Sequence, residues 1–95
     1  MGNDFNEVVA MFLEEVGEVI TRLEAAPDQG SFATDLHFLK GAALNLGFSE
    51  FAARCELGEM LAGQGRAGEI DLGRILISYH QSREAFVQGL NRSAA

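Results

Sequence analysis

A single cysteine, and half as many basic as acidic residues, seven against fourteen, set the first limits on this chain of 95 residues. One thiol, Cys55, admits no disulfide within the chain and cannot supply the paired ligands of a structural zinc site, so a reducing cytoplasm is expected and no bound metal. The formal net charge of -7 opposes phosphate backbones and anionic lipid, which select Lys and Arg. Neither nucleic acid nor a membrane is an expected partner. The start, MGNDFNEVV, is acidic where a signal peptide is basic, and Asn6 stands where a myristoylation signal carries Ser or Thr. A soluble, unanchored chain is expected. No stretch alternates with period two between turn signals, which excludes strands.

What is present reads as one globular domain over residues 1–95. The hydrophobic share of 47% and charged share of 22% are too apolar for disorder, and the length suits one self-sufficient core. Phe5, Val8, Val9, Phe12, Val16, Val19, Ile20 and Leu23 recur at three and four, the period of an amphipathic helix. Asn3 or Asp4 can cap it, and Pro27 with Gly30 closes it after Ala25. Ser31 opens a second run, Phe32, Leu36, Leu39, Ala43 and Leu46, that ends at Gly47 as a C-cap. Ser49 is a suitable N-cap for a third, carrying Phe51, Ala52, Cys55, Leu57 and Met60. Asp71 caps a fourth, with Leu72, Ile75, Leu76, Tyr79, Phe86, Val87 and Leu90 inward, and the tail NRSAA is expected to fray. Helices over roughly 4–25, 31–46, 50–62 and 72–91, joined by short connections, make an all-α antiparallel four-helix bundle.

GQGRAG, Gly63 to Gly68, formally matches the dinucleotide pattern G-x-G-x-x-G. That pattern needs a preceding strand and a parallel sheet, and here a helix precedes it, so the segment reads as an inter-helix loop.

The second helix carries the chemistry. At about 100° per residue His37 lies about 140° from the centre of the apolar stripe, so it faces solvent. Lys40, Gly41 and Leu44 follow three, four and seven residues later, and Ala33 precedes by four, on the same side. A solvated helix face is ordinarily filled with Glu, Lys, Gln and Arg, whereas this one has bare backbone on either side of the ring. Gly41 costs roughly 1 kcal/mol of helix propensity relative to Ala. Either another helix packs closely there, His37 being an ordinary surface histidine, or something else is meant to approach. His80, beside Gln81, Arg83 and Glu84, shows no constellation and reads as plain surface.

An imidazole has a pKa of about 6.5, so at neutral pH it is mostly uncharged and nucleophilic at one nitrogen. A lysine one turn away attracts phosphoryl oxygens, and a missing side chain leaves room for the group and its donor. These are the needs of phosphoryl acceptance and donation. The other ring nitrogen requires an acceptor to fix the tautomer. On the third helix Ala52, Cys55, Glu59 and Ala62 share a face, with Glu56 on its edge, which makes Glu59 the candidate. A solvated Glu59 is the competing reading. Hydrolysis by Cys55 is disfavoured because it falls on an apolar face, and a di-iron site lacks its Glu-x-x-His motif.

HFLKGAALNLGF, with His37, Leu39, Lys40, Gly41, Ala42, Leu46 and Gly47, resembles the signature of histidine phosphotransfer (HPt) domains. The resemblance implies a four-helix bundle whose histidine exchanges a phosphoryl group with a receiver aspartate in two-component signalling. His37 maps onto the phosphorylated residue, Lys40 onto its neighbouring lysine, Gly41 onto the access glycine and Glu59 onto the residue that binds the far imidazole nitrogen. The segments DFNEVVAMFLEEVGEVITRLE and GRAGEIDL are most similar to the N-terminal phosphotransfer domain of CheA-type chemotaxis kinases. That similarity implies two partners, a separate histidine kinase catalytic domain holding ATP and a CheY-like response regulator bringing Mg²⁺, with no cofactor on this chain. The expected docking surface is Ala33, His37, Lys40, Gly41 and Leu44, flanked by Leu13 or Met11 of the first helix. A helical docking domain without phosphotransfer is the alternative.

Overall fold

The computed structural model describes the backbone of residues 2–94 and the side chains of residues 7–89. The described residues form four α-helices, α1 (Gly2–Ala25), α2 (Phe32–Leu46), α3 (Ser49–Gly63) and α4 (Leu72–Ala94), with 3₁₀ turns at Gln29–Ser31 and Ala67–Glu69 and no strand. The side chains of Asn3, Asp4, Phe5 and Leu90, assigned above to a cap and to apolar stripes, lie outside the described residues. α4 runs three residues beyond its expected end, so the segment taken to fray is helical as far as Ala94.

The connections follow from local chemistry. Asp28 accepts from the Gly30 amide, and its carbonyl accepts from Ser31 Oγ, turning the chain after Pro27. Gly47, at φ 80°, takes the left-handed cap that a Cβ would oppose, and Phe48 N–H returns to the Ala43 carbonyl at 2.8 Å. The N-cap of α3 is consequently Phe48 and not Ser49, which is already helical. Gly63 ends α3, Gly65 lies at φ 74°, and GQGRAG is an inter-helix connection. Asp71 accepts from the Arg74 amide at the start of α4, as an N-cap does.

Cross-helix pairs give the directions. Arg22 meets Asp35, Phe48 meets Phe86, Phe51 meets Tyr79 and Glu24 meets His80, so successive helices run antiparallel around one core. Val16, Ile20, Leu23, Leu36, Leu39, Phe51, Cys55, Ile75 and Tyr79 fill that core. Three residues read as inward are outward: Val8 is 52% exposed, Leu57 55% and Met60 52%. The inner face of α3 is made of Phe51, Ala52, Cys55 and Gly58, and small residues let the helix sit close to its neighbours. At Gly58 an added Cβ would stand 2.8 Å from Leu36 Cδ1 and 3.3 Å from Ile75 Cδ1. The close-packing glycine is therefore Gly58. Gly41 has nothing within 4 Å of that position, which removes helix packing as the reason for a glycine there.

Candidate functional site

The two-residue turn Gly47–Phe48 places α2 and α3 side by side, and their contact is the most extensive in the molecule. His37 lies ten residues before the turn and Glu59 eleven after it, which at about 1.5 Å per residue carries both to the same height. Their side chains meet, with His37 Nδ1 and Glu59 Oε2 2.8 Å apart. Lys40, one turn nearer the loop, donates from Nζ to the other carboxylate oxygen, Oε1, at 3.1 Å. One carboxylate thus serves two cationic or donor groups. This sharing was not legible in the sequence, because it depends on how far α3 is rotated toward α2.

The hydrogen bond from His37, followed by that from Lys40, draws the Glu59 carboxyl below its ordinary value, against a weaker upward push from partial burial. An ionised carboxylate can only accept, so the proton in the contact belongs to His37 Nδ1. In the neutral ring this tautomer puts the lone pair on Nε2. The ring is open to receive a reactant, since the His37 side chain is 75% exposed while those of Glu59 and Lys40 are 23% and 26% exposed. Gly41, exposed and without a neighbour, continues the same side of α2. Ala33 and Leu44 are exposed there as well, Leu44 at 64%.

One flank of this face is built by α3. Lys40 lies between two shallow hollows, one lined with Leu44, Ser49, Ala52, Ala53 and Glu56, the other with Ala53, Glu56, Leu57, Glu59 and Met60. On the side of Lys40 the neighbouring surface is α3. Leu13 does not join it: half-buried against the core, it lines a hollow with Tyr79 and Arg83 on the α4 side of α1. Met11 is 62% exposed but borders neither hollow around Lys40. The signal for the α3 flank was the failure of Leu57 and Met60 to fit the face defined by Phe51, Cys55 and Gly58.

His80 is not the isolated surface residue that its neighbours in sequence suggested. Its Nε2 lies 3.0 Å from Glu24 Oε2 on α1, and its ring stands edge-on to Tyr79 with centroids 5.1 Å apart. The two histidines are held in opposite senses. A carboxylate takes the inner nitrogen of His37 and the outer nitrogen of His80, and Glu84, not glycine, stands one turn beyond His80. Of the two rings, His37 alone leaves Nε2 without a partner among the described residues.

Cys55 is fully buried, and burial, then the charge of Glu59, pushes its thiol up to about 12, which makes it inert as a nucleophile. No group of three or more His, Cys, Asp or Glu side chains among the described residues is placed to hold a metal ion, and no described helix is long and apolar enough to cross a membrane. In comparisons with known proteins, no curated protein and no solved structure matches the chain. One family profile does, described as Hpt domain, over residues 7–92.

Proposed function

The chain belongs to the Hpt domain family, whose role is phosphotransfer in two-component signalling, and from that premise we propose that His37 carries the phosphoryl group between a separate kinase domain and an aspartate on a CheY-like receiver. The observation that carries this reading is the Glu59 contact at Nδ1, which leaves Nε2 of an exposed ring free to attack. In the first step the Nε2 lone pair forms a bond to the γ-phosphorus of ATP held by the kinase domain, the bond from phosphorus to the bridging oxygen breaks, and ADP leaves. In the second, a receiver aspartate oxygen bonds to the same phosphorus, the N–P bond breaks, and its electron pair returns to Nε2. Glu59 accepts the Nδ1–H throughout and offsets the positive charge the ring develops while phosphorylated. Lys40, by exchanging Glu59 for a phosphoryl oxygen, compensates the incoming charge.

The ATP belongs in this reading to the kinase domain and the Mg²⁺ to the receiver. The partner surface is the exposed side of α2, Ala33, His37, Gly41 and Leu44, continued onto α3 by Met60. The similarity of the N-terminal segment to CheA-type phosphotransfer domains supports a chemotaxis-type kinase as the donor. Incubation with a CheA-type kinase domain and ATP is expected to give an acid-labile, base-stable phosphate that a CheY-like receiver removes and that is absent in His37→Gln. Labelling that persists in this variant overturns the assignment. A variant that binds the receiver and signals as well as the unaltered chain favours the docking-only alternative.

A further inference from the structure

The outward stripe of α3, Ala53, Glu56, Leu57 and Met60, is exposed along its length and borders Lys40, one turn from His37. Glu56 lines both hollows beside that lysine. Leu44 is 64% exposed, Leu57 55% and Met60 52%, so these hollows bring three large apolar side chains, open to solvent, around one carboxylate.

The Glu56 carboxylate takes no hydrogen bond or ion pair from any other described residue. Its neighbours at three and four residues along α3 are Ala52, Ala53, Glu59 and Met60, none of them a cation. Across the hairpin, Lys40 is held by Glu59 at 3.1 Å. Glu50 and Glu69, by contrast, meet Arg54 and Arg66 within their own segments. A lone exposed carboxylate is ordinary surface. Set among large apolar side chains, it constrains what can cover them. A surface that buries Leu44, Leu57 and Met60 strips water from Glu56, and a desolvated charge is costly unless the covering surface brings its opposite. The occupant must therefore be apolar and carry a cation. A second copy of this chain does not qualify, since its net charge is -7 and its Arg22, Lys40, Arg54 and Arg66 already rest on carboxylates. Position names a better one: Lys40 borders both hollows and shares Glu59 with His37, so a domain that reaches the ring also lies over Glu56.

We propose that Glu56 is a specificity-determining residue for the receiver, pairing with an Arg or Lys that the receiver presents among apolar side chains covering Leu44, Leu57 and Met60. This rests on His37 being the carrier. Glu56 acts on docking and not on the reacting atoms, because Lys40 and Glu59 already serve the ring.

The test uses the full chain, loaded with phosphate by a CheA-type kinase domain and ATP and then purified, and follows transfer to a CheY-like receiver over a range of receiver and salt concentrations. Glu56→Gln is expected to lower kcat/KM about fivefold through KM, with the rate at saturating receiver unchanged and the salt dependence of transfer reduced. Glu56→Lys is expected to lower it further, and one Lys or Arg of the receiver, changed to Glu, to restore it. Glu14→Gln removes the same charge from α1 and is expected to have no effect. Glu56 is exposed, so its variants should fold, and unchanged thermal melts check that they do. Transfer by Glu56→Gln equal to that of the unaltered chain, an equal loss in Glu14→Gln, a loss confined to the saturated rate, or no receiver exchange that restores Glu56→Lys overturns the proposal. A Glu56 variant that changes the mass of the chain alone in solution would make a second copy the occupant, and overturns it too. The carrier reading fails separately: a chain that does not load, or a label that persists in His37→Gln, removes it and this proposal together, whereas normal loading and transfer indifferent to Glu56 removes this proposal alone.

Discussion

At the scale of single residues, two glycines of the bundle have opposite tasks, and their exchange for alanine separates stability from function. Gly41 has open space where a Cβ would stand, so Gly41→Ala recovers helix propensity without a clash and is expected to stabilise the fold by about 0.5–1 kcal/mol. If His37 is the carrier proposed above, the same methyl group stands one turn from the ring that must be reached, and phosphorylation is expected to slow. Thermal melts and phosphotransfer rates on one preparation check both; a variant that is more stable and equally fast would show that the access role is mistaken. Gly58→Ala should do the reverse, because Leu36 is fully buried and cannot yield to a Cβ 2.8 Å away. Overpacking of this kind costs about 1–3 kcal/mol, more than the propensity gained. Equal or higher stability of Gly58→Ala in denaturant melts would refute the close-packing argument.

At the scale of helices, α1 is tied to α2 by Asp35, whose side chain is 10% exposed and accepts from Arg22 Nη2 at 2.6 Å and Ser31 Oγ at 2.9 Å. Burial pushes the Asp35 carboxyl up, but the hydrogen bonds from Arg22 and Ser31, with the Arg22 charge, hold it below its ordinary value of 3.8. A carboxyl depressed on folding stabilises the native state fully above its unfolded value and loses that contribution as pH falls through the folded one. Asp35→Asn is therefore expected to cost about 2 kcal/mol at neutral pH, with the deficit shrinking below about pH 3.8. Melts of both chains across that range check it; a deficit independent of pH would assign the loss to packing.

The helices themselves were legible in the sequence because their stops are local: Pro27, Gly47 and Asp71 act on backbone within a turn of themselves. The rotation of α3 was not. Its inner face is Ala52, Cys55 and Gly58 around one Phe51, so large apolar residues mark the wrong side of it. For the same reason Glu59 could be named as the candidate partner of His37 from spacing, while its second bond to Lys40 could not. The Glu24–His80 pair links residues 56 apart on helices with no shared motif, beyond the reach of spacing altogether.

At the scale of the whole molecule, 46 × 22 × 19 Å, Cys55 reports on the integrity of the core. It is fully buried among the helices, with its thiol raised to about 12, so a thiol reagent must wait both for access and for ionisation. Labelling at neutral pH is expected to be slow and to follow, in denaturant, the same midpoint as loss of helical circular dichroism. Rapid labelling of the native chain would mean that α3 detaches locally.

The turn at Gly47 and Phe48 has a kinetic consequence. Two residues join the pair of helices with the largest mutual contact, so little chain entropy is lost in bringing them together, less than in closing the longer connections to α1 and α4. His37, Lys40 and Glu59 all lie in that pair. The order expected during refolding is the hairpin of α2 and α3 first, with the outer helices condensing onto it, and pulsed hydrogen exchange would show their amides protected earliest. Simultaneous protection of all four helices would count against that order. If the hairpin leads, the histidine is born next to its carboxylate, before the rest of the protein exists as a folded body.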